Sequence, residues 1–403
     1  MAPMSTGSSE PLHLATRCIH AGTRPSSGAP GVVPTIDRST TFLQHPGTHE
    51  LTDAGRWSEA WVYARYANPT VAAAERRLAD LEGAEGSLLF GSGQAAMATA
   101  LMACLAPGEA VAASRELYGG TVDLLENGIA PRGHRLERFA ISSEDELART
   151  LDSGARLVLV ESLTNPTVLV ADLPRISAQV RAAGALLLVD ATFATPALQR
   201  PLEQGADVVM HSGTKAIAGH SDVTAGVLST ADPELYASLW TWRKRLGGVL
   251  DPDAAYLLDR GLRTLFLRVR AQCEGATALA AALERHPDVV TVHHPSLASH
   301  PDHDLAARLL DGPGSVLAFE LAAGDAALRP FVAALQLATD APSLGGVETL
   351  VSLPRYMSHP GLDDAQLRAA GIGPGTVRVA LGIEHPQDLV RDFEQALRCL
   401  APA

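Results

Sequence analysis

Short apolar runs alternate with stretches of helical spacing through much of the chain. Ser87–Phe90, Ala110–Ala113, Leu157–Val160, Leu186–Val189 and Val208–Met210 are compact and lack strict apolar–polar alternation. Such runs suit strands buried on both faces, and with helical patterns between them they predict an α/β region around a mostly parallel sheet. The firmest helix start follows Tyr66. Asn68 suits the cap, Pro69 the first helical position, and Val71, Ala74, Leu78 and Leu81 line one face before Gly83 ends the element. A long helical pattern from about Asp253 to Glu284 leaves this region. Strand candidates at Val316–Leu321 and Val377–Leu381, mixed with helices, then predict a smaller α+β unit. Pro30 to Tyr66 has few periodic apolar positions and reads as an extended arm without a core of its own; residues 1 to about 12 are polar and small, and read as lacking fixed structure. The expected organisation is an arm over 1–66, a large domain over 67–255 and a small domain over 256–403.

Composition narrows the function classes. The chain has 403 residues, 46% hydrophobic and 19% charged, enough to bury a large core and unlike a disordered chain. Its 32 basic and 45 acidic residues leave a net charge of −13, which disfavours nucleic acid as a partner. The longest apolar stretch, Ala95 to Ala106, is about half of what a transmembrane helix needs, so no membrane partner is expected. The first residues show neither the basic nor the apolar segment of a secretory signal. Cys18, Cys104, Cys273 and Cys399 are scattered without metal-like spacing, which suits a reduced, cytoplasmic protein. His293, His294, His300 and His303 invite a metal reading, but Pro295, Ser296 and Pro301 mark a turn-rich loop, and no metal is expected.

Three local patterns carry chemistry. In Val208-Val209-Met210-His211-Ser212-Gly213-Thr214-Lys215, a buried strand runs into two hydroxyl residues and a lysine. The end of a parallel strand is where such sheets bind ligands, so Ser212 and Thr214 suit a phosphate. Lys215 suits a Schiff base if its surroundings lower its pKa; an ordinary surface lysine is the plain alternative. Asp190 closes the apolar run Ala185–Val189. It reads either as a helix cap or as the anion that keeps the ring nitrogen of pyridoxal phosphate (PLP) protonated, so that the ring accepts electrons. Gly91-Ser92-Gly93-Gln94-Ala95-Ala96 lies between a strand and a helix, where backbone N–H groups hold phosphate. The same letters fit the dinucleotide fingerprint, yet the next run ends in Ser114-Arg115, without the acidic residue that fingerprint wants about 20 positions on. A nicotinamide-dependent oxidoreductase is therefore the second reading. A phosphate cradle, an anion and a lysine are three handles of one cofactor, pyridoxal 5'-phosphate.

At these residues the chain resembles the PLP-dependent enzymes of Cys/Met metabolism, the family of cystathionine γ-synthase, cystathionine γ-lyase and methionine γ-lyase. YARYANPT (63–70), GSGQAAM (91–97), LYGGT (117–121), ESLTNPT (161–167), VDATFATPALQRPLEQGADVV (189–209), HSGTK (211–215), SLGGVETL (343–350) and VRVALGIEH (377–385) carry the resemblance, which runs from about Thr16 to Leu400. It implies a fold-type-I enzyme: a large domain with a mostly parallel seven-stranded sheet, a smaller C-terminal α+β domain, and a homotetramer built as a dimer of dimers with each active site shared by two subunits. By the same resemblance Lys215 holds the cofactor aldehyde and shuttles protons, Asp190 pairs with the ring nitrogen, and Gly93, Gln94, Ser212 and Thr214 bind the phosphate. Tyr63 and Arg65 reach the phosphate of a neighbouring subunit. Tyr118 stacks on the ring and serves as an acid–base group, Asn165 contacts the ring hydroxyl, and Thr192 lies against the ring. Arg378 grips the α-carboxylate of a small amino-acid substrate, with Ser343 nearby. The implied activity is γ-elimination or γ-replacement on an L-amino acid with a leaving group on Cγ. The filled catalytic positions argue against a non-catalytic, cofactor-binding regulator.

Several positions depart from the family. Gly120 stands where methionine γ-lyases place a cysteine, and Pro342 where cystathionine-handling members often have Glu. Ala191 replaces a usual Asn, while Ala197 and Ala216 replace frequent Tyr residues. Arg355, Tyr356, Met357, Ser358 and His359 form an unusual segment. Together they suggest a reshaped substrate pocket, and with it a specialised γ-lyase for an unusual γ-substituted or halogenated amino acid.

Overall fold

The computed structural model describes residues 12–22, 31–357, 367 and 371–400. Residues 1–11 of the polar start, together with Ser358 and His359, lie outside the described residues.

The large sheet holds β1 (Gly86–Phe90), β2 (Ala110–Ser114), β3 (Arg135–Phe139), β4 (Ala155–Glu161), β5 (Leu186–Asp190), β6 (Val208–Ser212) and β7 (Gly226–Thr230) in the order β1-β7-β6-β5-β4-β2-β3. β7 pairs antiparallel with both neighbours; the remaining pairs are parallel. The sheet is therefore mostly parallel and has seven strands, as expected. The five apolar runs all form strands. β3 and β7 did not stand out: Arg135-Leu136-Glu137-Arg138-Phe139 carries the charges of an edge strand, and Gly226-Val227-Leu228-Ser229-Thr230 mixes Gly, Ser and Thr into a buried one.

The second sheet holds β8 (Val289–His293), β9 (Val316–Leu321), β10 (Thr339–Asp340), β11 (Leu350–Ser352) and β12 (Thr376–Ala380), in the order β10-β11-β12-β9-β8. Its core centres on Phe319, Phe331 and Phe393, whose rings meet with centroids 5.6 to 6.3 Å apart. Tilted and edge-on aromatic pairs of this kind add to the burial term.

The helix Pro69–Glu82 starts and stops as its sequence predicts. Asn68 Oδ1 accepts the N–H groups of Thr70 and Val71, and Gly83 takes a left-handed φ of 68°. The expected single helix over 253–284 is instead two, Pro252–Leu262 and Leu265–Glu284. Apolar periodicity does not register the break, because the break is polar: the Gly261 carbonyl accepts Arg268 Nη2 at 2.7 Å and the Thr264 N–H at 3.1 Å. The second helix joins the two layers. Leu265, Val269 and Cys273 pack with the large-sheet side, while Ala276, Leu279 and Leu283 pack with the small sheet.

The early arm is more structured than its sequence suggested. Leu14–His20 and Pro46–Asp53 are helices. The first docks on its own chain through Arg77, which is 1% exposed and donates to the Cys18 and Ile19 carbonyls and to Asp259 Oδ1 at 2.7 Å. Val32 and Leu43 stay 92% and 96% exposed. Among the described residues no helix is long and apolar enough to cross a membrane.

Removing one partner of a buried ion pair strands the other charge. Arg77→Met should therefore lower unfolding free energy by about 3 kcal/mol, read from urea denaturation, whereas the same change at the exposed Arg270 should cost almost nothing.

Candidate active site

Parallel register places the chemistry. Glu161 at the end of β4 lies beside Asp190 at the end of β5, and Asp190 lies beside Met210 in β6. These carboxyl ends open on a cavity of about 410 Å3 that also reaches Lys215, Ser343 and Arg378. That is the expected ligand position of a parallel sheet.

One side of the cavity is a helix start. Gly93–Cys104 begins there, and Ser92 Oγ caps it by accepting the Ala95 N–H at 3.1 Å. The first N–H groups of a helix lack acceptors within it and favour an anion. A Cβ on Gly93 would lie 3.1 Å from Ser212 Cβ and 3.2 Å from Ser212 Oγ, so glycine lets the helix start and the end of β6 close on the same space. Ser212, Thr214 and Gln94 line it as well.

The charged groups form one network. Lys215 Nζ donates to Ser343 Oγ at 2.7 Å. Burial, and then the charge of Arg378, pull the Lys215 amine down to about 8. Arg378 donates through Nη1 to Asn165 Oδ1 at 3.2 Å and through Nη2 to the Ser343 carbonyl at 3.0 Å. Its Nε is buried without a partner, and burial lowers its pKa to about 10. Asp190 Oδ1 accepts the Thr192 N–H at 3.0 Å and its hydroxyl at 2.5 Å, and Thr192 Oγ1 accepts the Ser212 N–H at 2.8 Å. Thr192 thus orients Asp190 and locks it to β6. Burial raises the Asp190 pKa against those bonds and the nearby His211 charge.

Tyr118 lines the cavity while remaining 48% exposed. Its N–H donates to Glu161 Oε1 at 2.5 Å. A Cβ on Gly120 would come within 2.4 Å of Gln94 Nε2 and 2.6 Å of Tyr118 Cε1. The glycine that departs from the methionine γ-lyase pattern therefore lets the amide and the phenol ring close over that position.

Of the expected site residues, Lys215, Tyr118, Asp190, Gly93, Gln94, Asn165, Thr192, Ser212, Thr214, Ser343 and Arg378 all line this cavity. Tyr63 and Arg65 do not. Arg65 stacks on Tyr63 and Tyr66 and donates to the Lys244 carbonyl at 2.8 Å. Glu161 is a lining residue that the sequence reading passed over, although it closes the run Leu157–Val160 just as Asp190 closes its own. The departures divide. Pro342 and Met357 line the cavity. Ala191, Ala197 and Ala216 are packed in the cores. Tyr356 instead donates to Asp325 Oδ1 at 2.5 Å under the Arg329 guanidinium, with Arg355 3.8 Å from the same carboxylate. Neither Arg355 nor Tyr356 lines the cavity. In the histidine loop, His294 meets Ser296 Oγ at 2.7 Å and the Gly314 carbonyl at 3.3 Å, and His303 meets the Pro295 carbonyl at 2.8 Å.

Comparison with known proteins agrees with this geometry. The family of Cys/Met metabolism PLP-dependent enzymes matches residues 15–398. The chain belongs to this family. It is 37% identical to the L-methionine γ-lyase of Pseudomonas putida over 98% of this chain and 100% of that protein. It is 40% identical to the cystathionine γ-synthase of Mycobacterium tuberculosis over 95% of this chain and 96% of that one. A solved cystathionine γ-synthase from Xanthomonas oryzae pv. oryzae, in complex with aminoacrylate and cysteine, superposes with a TM-score of 0.91 at 38% identity, covering 97% of this chain and 99% of that one. The family is PLP-dependent, and its γ-lyase and γ-synthase relatives are consistent with γ-elimination or γ-replacement. The residues present fit PLP: a glycine-walled helix start for phosphate, a buried carboxylate for a ring nitrogen and an amine of lowered pKa for an aldehyde.

An amine with a pKa near 8 reacts well below the range of ordinary lysines. Reductive methylation of Lys215 in the apo-protein, followed by mass spectrometry, should rise with pH to a midpoint near about 8. Arg378→Met should move that midpoint upward, because one cation that opposes protonation is gone.

Proposed function

We propose that the enzyme acts on an L-amino acid whose γ-substituent is small and uncharged, and eliminates or replaces it. The observation that carries this reading is the distribution of charge around the cavity. Among the described residues its charged lining side chains are Lys215, Arg378, Asp190 and Glu161. Each is already engaged: Lys215 with Ser343, Arg378 with Asn165 and Ser343, Asp190 with Thr192, and Glu161 with two backbone N–H groups. Leu163, Phe193, Leu344, Pro342 and Met357 make up apolar wall. A charged distal group would lose water there without gaining a partner. The halogenated amino acids expected from the departing positions fall in this neutral class.

The residues divide the work. Bound PLP supplies an electron sink for charge that develops at substrate carbons. Lys215 anchors it and, with an amine poised near neutrality, moves protons at the substrate Cα and Cβ. Tyr118 holds the cofactor ring by stacking and offers its hydroxyl as a second acid–base group. Asp190 faces the ring nitrogen, Asn165 the ring hydroxyl, and Thr192 holds Asp190 in place. Gly93, Gln94, Ser212 and Thr214 receive the phosphate. Arg378, whose Nε lacks a partner, takes the α-carboxylate, with Ser343 beside it. Departure of the γ-substituent and entry of a nucleophile at Cγ use this same set, so access of water or thiol decides between the two outcomes.

Tyr63 and Arg65 serve the phosphate of a neighbouring subunit. Supporting this, Tyr63 is 45% exposed, Arg65 lies outside its own cavity, and the apolar Val32 and Leu43 stand in solvent. The assembly is a homotetramer, a dimer of dimers, in which the arm over 1–66 contacts the neighbouring subunit, beside a 67–255 cofactor domain and a 256–403 small domain. Four unpaired cysteines support a cytoplasmic setting.

Steady-state kinetics on matched substrates tests the substrate reading. L-methionine, γ-chloro-α-aminobutyrate and O-acetylhomoserine should each exceed cystathionine and O-succinylhomoserine in kcat/KM by about tenfold or more. A preference for either charged substrate sinks it. Arg65→Ala should weaken PLP binding to the apo-protein, measured by fluorescence titration, and light scattering should show the tetramer persisting.

A further inference from the structure

Leu163, Phe193, Leu344, Pro342 and Met357 form the apolar wall of the cavity. Most of that wall is fixed. Leu163 and Leu344 are buried in cores, Phe193 packs against both, and Pro342 is a rigid ring. Met357 differs. It is 42% exposed, belongs to none of the cores, and carries a long, unbranched side chain. Where it stands is set by the backbone turn that carries it.

That turn cannot hold itself. Pro354–Met357 is four residues long, and a single turn makes too few hydrogen bonds to offset the ordering of its backbone. The N–H groups of Tyr356 and Met357 both reach the Leu353 carbonyl, at 2.9 and 3.1 Å. Three side-chain contacts then tie the turn to the helix Asp325–Ala334. Tyr356 donates its hydroxyl to Asp325 Oδ1 at 2.5 Å, Arg355 Nε stands 3.8 Å from the same oxygen, and the Arg329 guanidinium lies 5.4 Å from the Tyr356 ring centroid. The bond to Asp325 is the main cause that raises the phenol pKa, so the hydroxyl keeps its proton and goes on donating. The cation above the ring adds to the tie. The helix itself is a firm post, because Ala327, Leu328 and Phe331 are buried in the small-sheet core.

We propose that Tyr356 is a positioning residue: through its bond to Asp325 it holds Met357 against the cavity, and so limits the length of the γ-substituent that the site accepts. The proposal rests on the reading that the apolar wall receives that substituent. In that reading Lys215, Asp190 and Arg378 are committed to cofactor and α-carboxylate, which leaves this wall for the rest of the substrate. Without the Tyr356 bond the turn moves away from its post, Met357 withdraws with it, and long chains gain room. Short chains gain nothing from the added space.

The test uses PLP-loaded enzyme and two unreactive amino acids, L-norvaline and L-2-aminooctanoate, whose dissociation constants are read from the change in cofactor absorbance. Neither has a leaving group, so the measurement stands whichever γ-substituent the enzyme turns over. Tyr356→Phe should shift the ratio of the two constants about threefold toward the longer chain, with the absorbance of the free enzyme unchanged. Asp325→Ala removes the acceptor instead, should give the same ratio, and serves if the Phe variant fails to fold. Met357→Ala should shift the ratio about tenfold, and adding Tyr356→Phe to it should change nothing more, because the latch acts through Met357. A wild-type ratio in Tyr356→Phe, even with a lowered melting temperature, or additive shifts in the double variant, overturns the proposal. Met357→Ala separates the two readings. If it leaves the ratio untouched, the wall does not receive the chain and the reading beneath the proposal fails; if it shifts the ratio and Tyr356→Phe does not, only the role of Tyr356 fails.

Discussion

Two basic and two acidic side chains share one buried cavity, and each of the four is held by a specific donor or acceptor. A lone charge in such a place would neutralise or disrupt the fold. The site avoids this by distributing opposite charges along strand ends fixed by parallel register. β4 delivers Glu161, β5 delivers Asp190, β6 leads into Lys215, and β12 of the second sheet sends Arg378 across. The chemistry depends on the imbalance within this set. Lys215 is buried and faces Arg378 across Ser343, so its amine is easily deprotonated. Asp190 is buried, which raises its pKa, so its surroundings favour a proton nearby. A weakly held proton on one side and a firmly held one on the other are what an electron-sink cofactor needs.

The same charges explain why the two sheets must be placed accurately. Arg378 belongs to the small sheet, yet it bonds to Asn165 after β4 and to the Ser343 backbone. Ser343 then meets Lys215 after β6. A shift between the layers would break two hydrogen bonds at once, Arg378 to Asn165 and Lys215 to Ser343, while the bond from Arg378 to the Ser343 carbonyl stays on the small-sheet side. The helix Leu265–Glu284 resists such a shift by lending one half to each core. Arg268 near its start fastens it to the Ala216 carbonyl, one residue beyond Lys215. The structural support of the layers and the support of the reactive amine are therefore the same few contacts.

Much of this was legible in the chain. Buried parallel strands announce themselves as short apolar runs, and five of the seven strands in the large sheet did so. The two others are β3, where one face meets solvent, and β7, where small hydroxyl residues are buried by pairing with each other, as Ser229 does with Ser87 at 2.7 Å. The helix capped by Asn68 was plain because its cap and terminal glycine are local features. The break at Arg263-Thr264 was not, because it depends on Arg268 reaching back for the Gly261 carbonyl. The site followed the same rule. Lys215 and Asp190 stand out as polar residues closing apolar runs. Glu161 closes one too, but nothing in its local sequence says that the Tyr118 and Asn165 backbones converge on it from elsewhere. The early arm is the reverse case: its helix Leu14–His20 docks through one buried arginine, Arg77, which looks in sequence like any surface residue of an amphipathic helix.

The departures from the family pattern gain meaning only through their positions. Ala191, Ala197 and Ala216 are buried among apolar neighbours, so smaller side chains there alter packing rather than recognition. Arg355 and Tyr356 form a polar cluster with Asp325 and Arg329 outside the cavity, which anchors the short helix Pro354–Met357 and thereby presents Met357 to the site. Pro342 meets the cavity directly and brings neither a charge nor a side-chain hydrogen bond. Gly120 removes the one atom that would keep the Gln94 amide and the Tyr118 ring apart. Of the departing positions, Pro342 and Met357 line the cavity and bring no charge to it; under the proposed function, selection between substrates then falls to desolvation of the γ-substituent rather than to its capture by an opposite charge.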